Sequence, residues 1–228
     1  MSRPPVVPLL VPLLVVGALV CGAGLGVELA RHLGSLDPDG RLRAALSLSY
    51  EANLPTWYSA GLLWTAALGL GVCAAREPGR DRAWWWGLAV VFALMSLDEA
   101  IELHEALGGA ELGGVLYFSW VVPGAALVAA FGLAYVRFWW RLSPPARSRF
   151  AWAGAVYVGG ALGMELPLGA WFEAHGDENL GYALLDWGEE TLEIVGVSVF
   201  VHAIVGHYQG ALSISGAGTA ATTSGEQT

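Results

Sequence analysis

The stretch WWWGLAVVFALMSLDEAIELHE, Trp84 to Glu105, decides the fold class. Its first half is an apolar run of the kind that fills a bilayer, where a helical span takes about 20 residues. Its second half places five ionisable groups in ten residues: Asp98, Glu99, Glu102, His104 and Glu105. At 100° per residue, a continuing helix puts Asp98, Glu102 and Glu105 on one face within roughly 60°, with Glu99 on its shoulder. His104 then lies about 100° or more from that stripe. Charged side chains inside a span are costly and face the interior of a bundle or a wet cavity. The stretch therefore reads as a membrane helix whose far end lines a shared polar space.

The rest of the chain agrees with that reading. It has 228 residues, 55% hydrophobic and only 14% charged, against about 25% charged in soluble domains. The mean hydropathy is +0.54. All 11 basic residues are Arg, and the net charge of −9 argues against nucleic acid as a partner. Cys21 and Cys73 lie in apolar runs and fit neither a zinc spacing nor a disulfide framework. The apolar N-terminal run is too long for a signal-peptide core and reads as a retained first span.

Six segments qualify as spans: roughly 6–28, 56–75, 84–107, 115–138, 150–172 and 185–208. They define an all-α polytopic bundle over residues 1–208. The Gly/Ser/Thr-rich stretch 209–228 reads as a disordered cytoplasmic tail. Arg3, the 76–82 Arg group and the 137–149 Arg group fall on one side, which fixes an N-in, C-in topology. Only Arg31, Arg41 and Arg43 break the pattern. With this topology 17 of the 20 carboxylates and 3 of the 11 Arg lie in the outer half. The formal charges of the two sides are −14 and +5, which together make the −9 of the chain.

Several helices deliver acids to that outer level. Span six carries Asp186, Glu189, Glu190 and Glu193 on one face within roughly 100°. Span five adds Glu165, followed by Pro167, whose bend opens a gap. Glu173 and His175 lie just beyond, and span one brings Glu28. Glu51, Asn53 and Trp57 stand at the mouth of span two. So many acids at one depth cannot all stay ionised without protons, water or bound cations.

Carboxylates with a histidine suit iron, manganese or zinc, and carboxylates alone suit calcium or magnesium. The candidate divalent-metal ligands are Asp98, Glu99, Glu102, His104, Glu105, Glu165, Glu189, Glu190 and Glu193. There is no Glu-x-x-His motif, so a ferritin-like di-iron site is not specified. The leading expectation is a metal site in the outer leaflet, possible in a metal-dependent enzyme on a lipid or lipophilic substrate. The alternative is a proton- or cation-coupled transporter or sensor that uses the same acids. Trp84, Trp85, Trp86, Trp139 and Trp140 read as interfacial anchors at the inner side. Gly159, Gly160 and Gly163 read as sites of close helix packing.

Three phrases, EANLPTWYSA, SLDEAIELHE and DWGEETLEIVG, together resemble a group of uncharacterised bacterial multi-pass membrane proteins. That group carries a Leu-Asp-Glu…His-Glu segment and a later Glu-Glu…Glu…Gly segment. The resemblance implies the bacterial cytoplasmic (inner) membrane as location and supports the site, but implies no reaction. The alkaline ceramidase-like membrane hydrolases look different, with seven spans and a His-x-x-x-His pair. Here His202 and His207 are five apart.

Overall fold

A computed structural model describes residues 9–35, 40–104, 109 and 112–224, with side chains described through residue 209. Among these residues the protein is all-α, with no strand. The helices are α1 (Leu10–His32), α2 (Arg41–Leu46), α3 (Leu54–Arg76), α4 (Asp81–Ile101) and α5 (Val121–Arg141). They continue as α6 (Pro144–Val158), α7 (Glu165–His175) and α8 (Leu180–Ser224). A π-helical segment, Gly159–Met164, joins α6 to α7, so that the chain from Pro144 to His175 runs as one interrupted helix.

Among the described residues five helices are long and apolar enough to cross a membrane: α1, α3, α4, α5 and α8 over Leu180–Gln209. Their outward faces carry bare apolar side chains such as Leu133, Leu127 and Leu68. That pattern suits a lipid environment, and the chain is a multi-pass membrane protein by length and composition. The helices pass alternately between an acidic end and a basic end. At the basic end Arg141 pairs with Asp81 at 2.7 Å, and the Arg76 guanidinium lies over the Tyr208 ring.

Local chemistry sets the boundaries. Asn53 caps α3 by accepting the Thr56 N–H, with Pro55 in the first turn where its missing N–H costs nothing. Gly79, at φ +80°, makes the tight turn between α3 and α4. α4 ends sooner than the expected boundary at 107. Its C-cap is Glu102 in the left-handed conformation (φ 55°, ψ 43°), which stops the helix at Ile101 and reverses the chain. The face geometry drawn from an unbroken helix through Glu105 therefore fails beyond Ile101.

α8 is the axis of the bundle. It packs against α1, α3, α6, α7 and the π segment, while α5 touches only α4 and the π segment closely. Close approach depends on two glycines. A Cβ on Gly196 would lie 2.7 Å from the Tyr157 backbone nitrogen, and one on Gly160 would lie 2.9 Å from the Glu189 carbonyl oxygen. Gly159 and Gly163 have open space instead, so of the three span-five glycines only Gly160 serves packing. Pro167 cannot donate to the carbonyl four residues earlier, Gly163, and the helix loosens to π geometry just before it.

Trp85 departs from the interfacial role expected of it. It is 1% exposed and packs against Phe138, Phe150 and His207 in the core. Trp86 keeps an exposed ring. The α8 backbone stays helical through Ser224, past residue 208 and into the stretch read as a disordered tail.

Candidate functional site

At the acidic end the helices enclose a cavity of about 1010 Å³. Ten described carboxylates line it: Glu51, Asp98, Glu99, Glu102, Glu165, Glu173, Asp186, Glu189, Glu190 and Glu193. Among the described residues the only basic side chain on the wall is His104. Tyr50, Tyr117, Phe118, Trp120, Tyr157 and Tyr182 supply an aromatic portion.

The α8 wall carries Asp186, Glu189, Glu190 and Glu193, because positions three, four and seven apart share a helix face. Tyr157, across the Gly196 contact, lies beside Glu193 on the cavity wall. Ser49 donates to Asp186, and Ser59 donates to Glu99. Trp120 donates its indole N–H to Glu165 at 2.7 Å. Glu173 accepts the Gly114 backbone N–H, with Gly113 packed so tightly that a Cβ there would meet the carboxylate at 3.0 Å. Glu189 differs from these. It is 8% exposed, and its Oε2 is buried with no hydrogen-bond partner.

The reversal at Glu102 brings His104 to where a continuous helix would not. The His104 backbone N–H donates to Asp98 at 2.7 Å, and its Nδ1 lies 3.2 Å from the other Asp98 oxygen. The ring also packs on Trp120, with centroids 4.7 Å apart. His104 is thus a direct partner of Asp98 rather than a residue set off from the acidic stripe. With Nδ1 turned to a carboxylate, Nε2 is the ring nitrogen left for a ligand.

Glu51 stands at the rim, on the three-residue approach to α3. Partial burial, then the charges of Glu99 and Glu102, push its carboxyl up to about 7. Thr56 donates its hydroxyl to Glu51 at 3.3 Å. The other two expected mouth residues do not line the cavity. Asn53 is committed to the α3 cap and to the carbonyls of Ala44 and Ser47, and Trp57 is 72% exposed. Asn53 has a capping role because its neighbours are the orphan N–H groups of a helix start.

Of the nine expected ligands, the structure brings eight to the cavity wall: Asp98, Glu99, Glu102, His104, Glu165, Glu189, Glu190 and Glu193. Glu105 lies outside the described residues. Among the described residues no group of three or more His, Cys, Asp or Glu side chains converges closely enough to hold a metal ion as arranged. The carboxylates are spread along the walls. Sequence reasoning left Asp186 and Glu173 out of the ligand set and missed Tyr157, Tyr182 and Trp120. Asp186 was findable, since it shares the helix face of Glu189 and Glu190; the aromatics were not, because only tertiary packing turns them inward.

Glu28 belongs to a separate structure. It is 2% exposed and accepts from Arg43 Nε at 2.8 Å and from the Ser47 hydroxyl at 2.6 Å, with Arg31 at 3.8 Å. Arg31 also pairs with Glu178. This cluster ties α1 to α2 and holds the Leu48–Glu51 rim against the bundle.

No curated protein and no solved structure matches the chain. A family model described as Domain of unknown function (DUF8692) matches residues 11–207, and the chain belongs to that family.

Proposed function

We propose that this protein binds a cation in a carboxylate-lined cavity that opens to the outer face of a bacterial cytoplasmic membrane. In this reading the chain crosses six times with both termini cytoplasmic, the interrupted helix Pro144–His175 adding the fifth crossing in chain order to the five long apolar helices. The Arg distribution supports that orientation. The observation that carries the cation reading is Glu189. Its Oε2 is a buried acceptor without a donor, in a wall that carries, among the described residues, ten carboxylates and no Arg. Such an oxygen costs free energy until a cation or a proton meets it.

A divalent metal is the first occupant to test. Glu99, Glu190 and Glu193 form the floor, and His104 Nε2 offers a nitrogen donor. Side chains would close by rotation to bring three donors to one point. A metal so held would serve a metal-dependent enzyme acting on a lipid or lipophilic substrate. A carrier that uses the same acids needs a path to the basic end. Against that stands an aromatic layer below the floor: Phe92 stacks on Phe200 at 4.5 Å, Phe150 lies 5.0 Å from Phe200, and Trp85 seals the next level.

The test is elemental analysis of detergent-purified protein prepared without chelators, beside a Glu99→Ala/Glu190→Ala variant. The expected result is near-stoichiometric iron, manganese, zinc or calcium that the variant loses. No metal in either sample would overturn the metal reading. A cysteine at position 190 that reacts with impermeant reagents from both sides would overturn the closed site and favour the carrier.

A further inference from the structure

We propose that the cavity takes an organic cation, an elongated amine whose ammonium groups meet Glu189 and Glu190 while its hydrocarbon body lies along Tyr117, Phe118 and Tyr182. This rests on the cation reading above and names the class of occupant. Three observations carry it.

The first is size. Six waters and an ion occupy about 200 Å³ at about 30 Å³ per water, which leaves most of a cavity of about 1010 Å³. A space of that volume matches small-molecule sites. The second is the charge of the lining. Among the described residues the wall has ten carboxylates and no Arg, a lining that repels phosphate, sulfate and carboxylate groups, so the occupant is a cation or carries one. The carboxylates are dispersed. A metal needs its donors about 2.0–2.6 Å from one point, whereas an amine chain places each ammonium, with three N–H donors, where a carboxylate stands. Glu189 Oε2, buried and without a donor, is one such place.

The third is the aromatic row. Tyr117 lies 4.7 Å from Phe172, Phe118 lies 5.7 Å from it, and Tyr182 lies 5.8 Å from it, ring centre to ring centre. Gly169 lets Tyr117 and Phe118 come this close, since a Cβ there would meet them at 3.2 and 3.3 Å. Aromatic faces beside carboxylates attract ammonium groups and cover methylene chains.

The probe is spermidine, titrated calorimetrically at low salt into full-length protein in zwitterionic nanodiscs after chelator treatment. A neutral diol of equal length is the comparison. The expected result is saturable spermidine binding, no diol binding, and a loss of about tenfold or more in Glu189→Gln/Glu190→Gln, as for removed charge-assisted hydrogen bonds. Tyr182→Leu weakens binding as well, and Glu77→Gln at the basic end does not. Tryptophan-fluorescence melting checks that each variant is folded. Absence of saturable binding overturns the proposal, and so does undiminished binding in a folded double variant. If spermidine fails while stoichiometric metal is found, the cation reading stands and this inference alone falls. If both fail, both fall.

Discussion

Replacing Arg43 with Leu tests the buried ion pair that holds the cavity rim. Its side chain is 10% exposed, and that of Glu28 is 3% exposed, with 2.8 Å between Arg43 Nε and Glu28 Oε1. Removing one partner of a buried pair costs about 3–5 kcal/mol, because the other charge is left uncompensated. Glu28 would keep the Ser47 hydroxyl at 2.6 Å and Arg31 at 3.8 Å, which puts the cost near the lower bound, about 3 kcal/mol. For a chain of this size that lowers Tm by about 6–12 °C. The assay is thermal unfolding in detergent, followed by tryptophan fluorescence. A Glu28→Leu/Arg43→Leu double variant removes both charges, and its stability should return to within about 2 kcal/mol of the wild type. The residual cost includes the Ser47 and Tyr50 hydroxyls, which lose Glu28 and Arg43 as partners, and Arg31, which loses Glu28. A shift below about 2 °C for Arg43→Leu, or a double variant as unstable as the two singles added together, would refute the reasoning.

Two further outcomes follow from the site and its packing. Glu51 holds its proton to about 7 in the folded protein, above the ordinary carboxylate range. Its contribution to stability is therefore greatest at acid pH, falls as pH rises from about 4.5 towards 7, and is constant above that. Cation affinity should rise over the same approach to pH 7 and beyond as the proton leaves, and Glu51→Gln should flatten that rise in a calorimetric titration. Gly196→Ala drives a Cβ to 2.7 Å from the Tyr157 backbone nitrogen, where no side-chain rotation relieves it. It should cost about 1–3 kcal/mol by thermal unfolding and weaken cation binding through the Tyr157–Glu193 contact, whereas Gly163→Ala, with open space around it, should leave stability unchanged.

Much of this protein was legible before folding. The apolar runs announce membrane helices because a backbone in lipid must satisfy its own hydrogen bonds. The period of the helix alone gathers Asp186, Glu189, Glu190 and Glu193 on one face of α8. The one-sided charge of the chain marks the acidic end. Where the helix period breaks, sequence reasoning fails with it. Nothing in SLDEAIELHE announces that Glu102 takes a left-handed conformation, a state unusual for a residue with a Cβ. That one residue's conformation turns His104 from an outlying residue into the partner of Asp98.

Composition and periodicity determined that there are membrane helices and that acids crowd one end, because both are properties of single segments. The contents of the cavity wall were decided by tertiary structure. Tyr157 reaches Glu193 only because Gly196 lets α6 and α8 touch, and Trp120 reaches Glu165 across 45 positions of chain. Glu28 was read from sequence as an acid of the outer level, yet its Oε1 is bound to Arg43 and Ser47 and its Oε2 faces Arg31 at 3.8 Å, whereas Glu189 Oε2 is buried with no hydrogen-bond donor in a wall that carries no Arg among the described residues. Both are glutamates on apolar helices. What separates them is which donors the neighbouring helices bring within about 3 Å, and a one-dimensional pattern does not contain that distance.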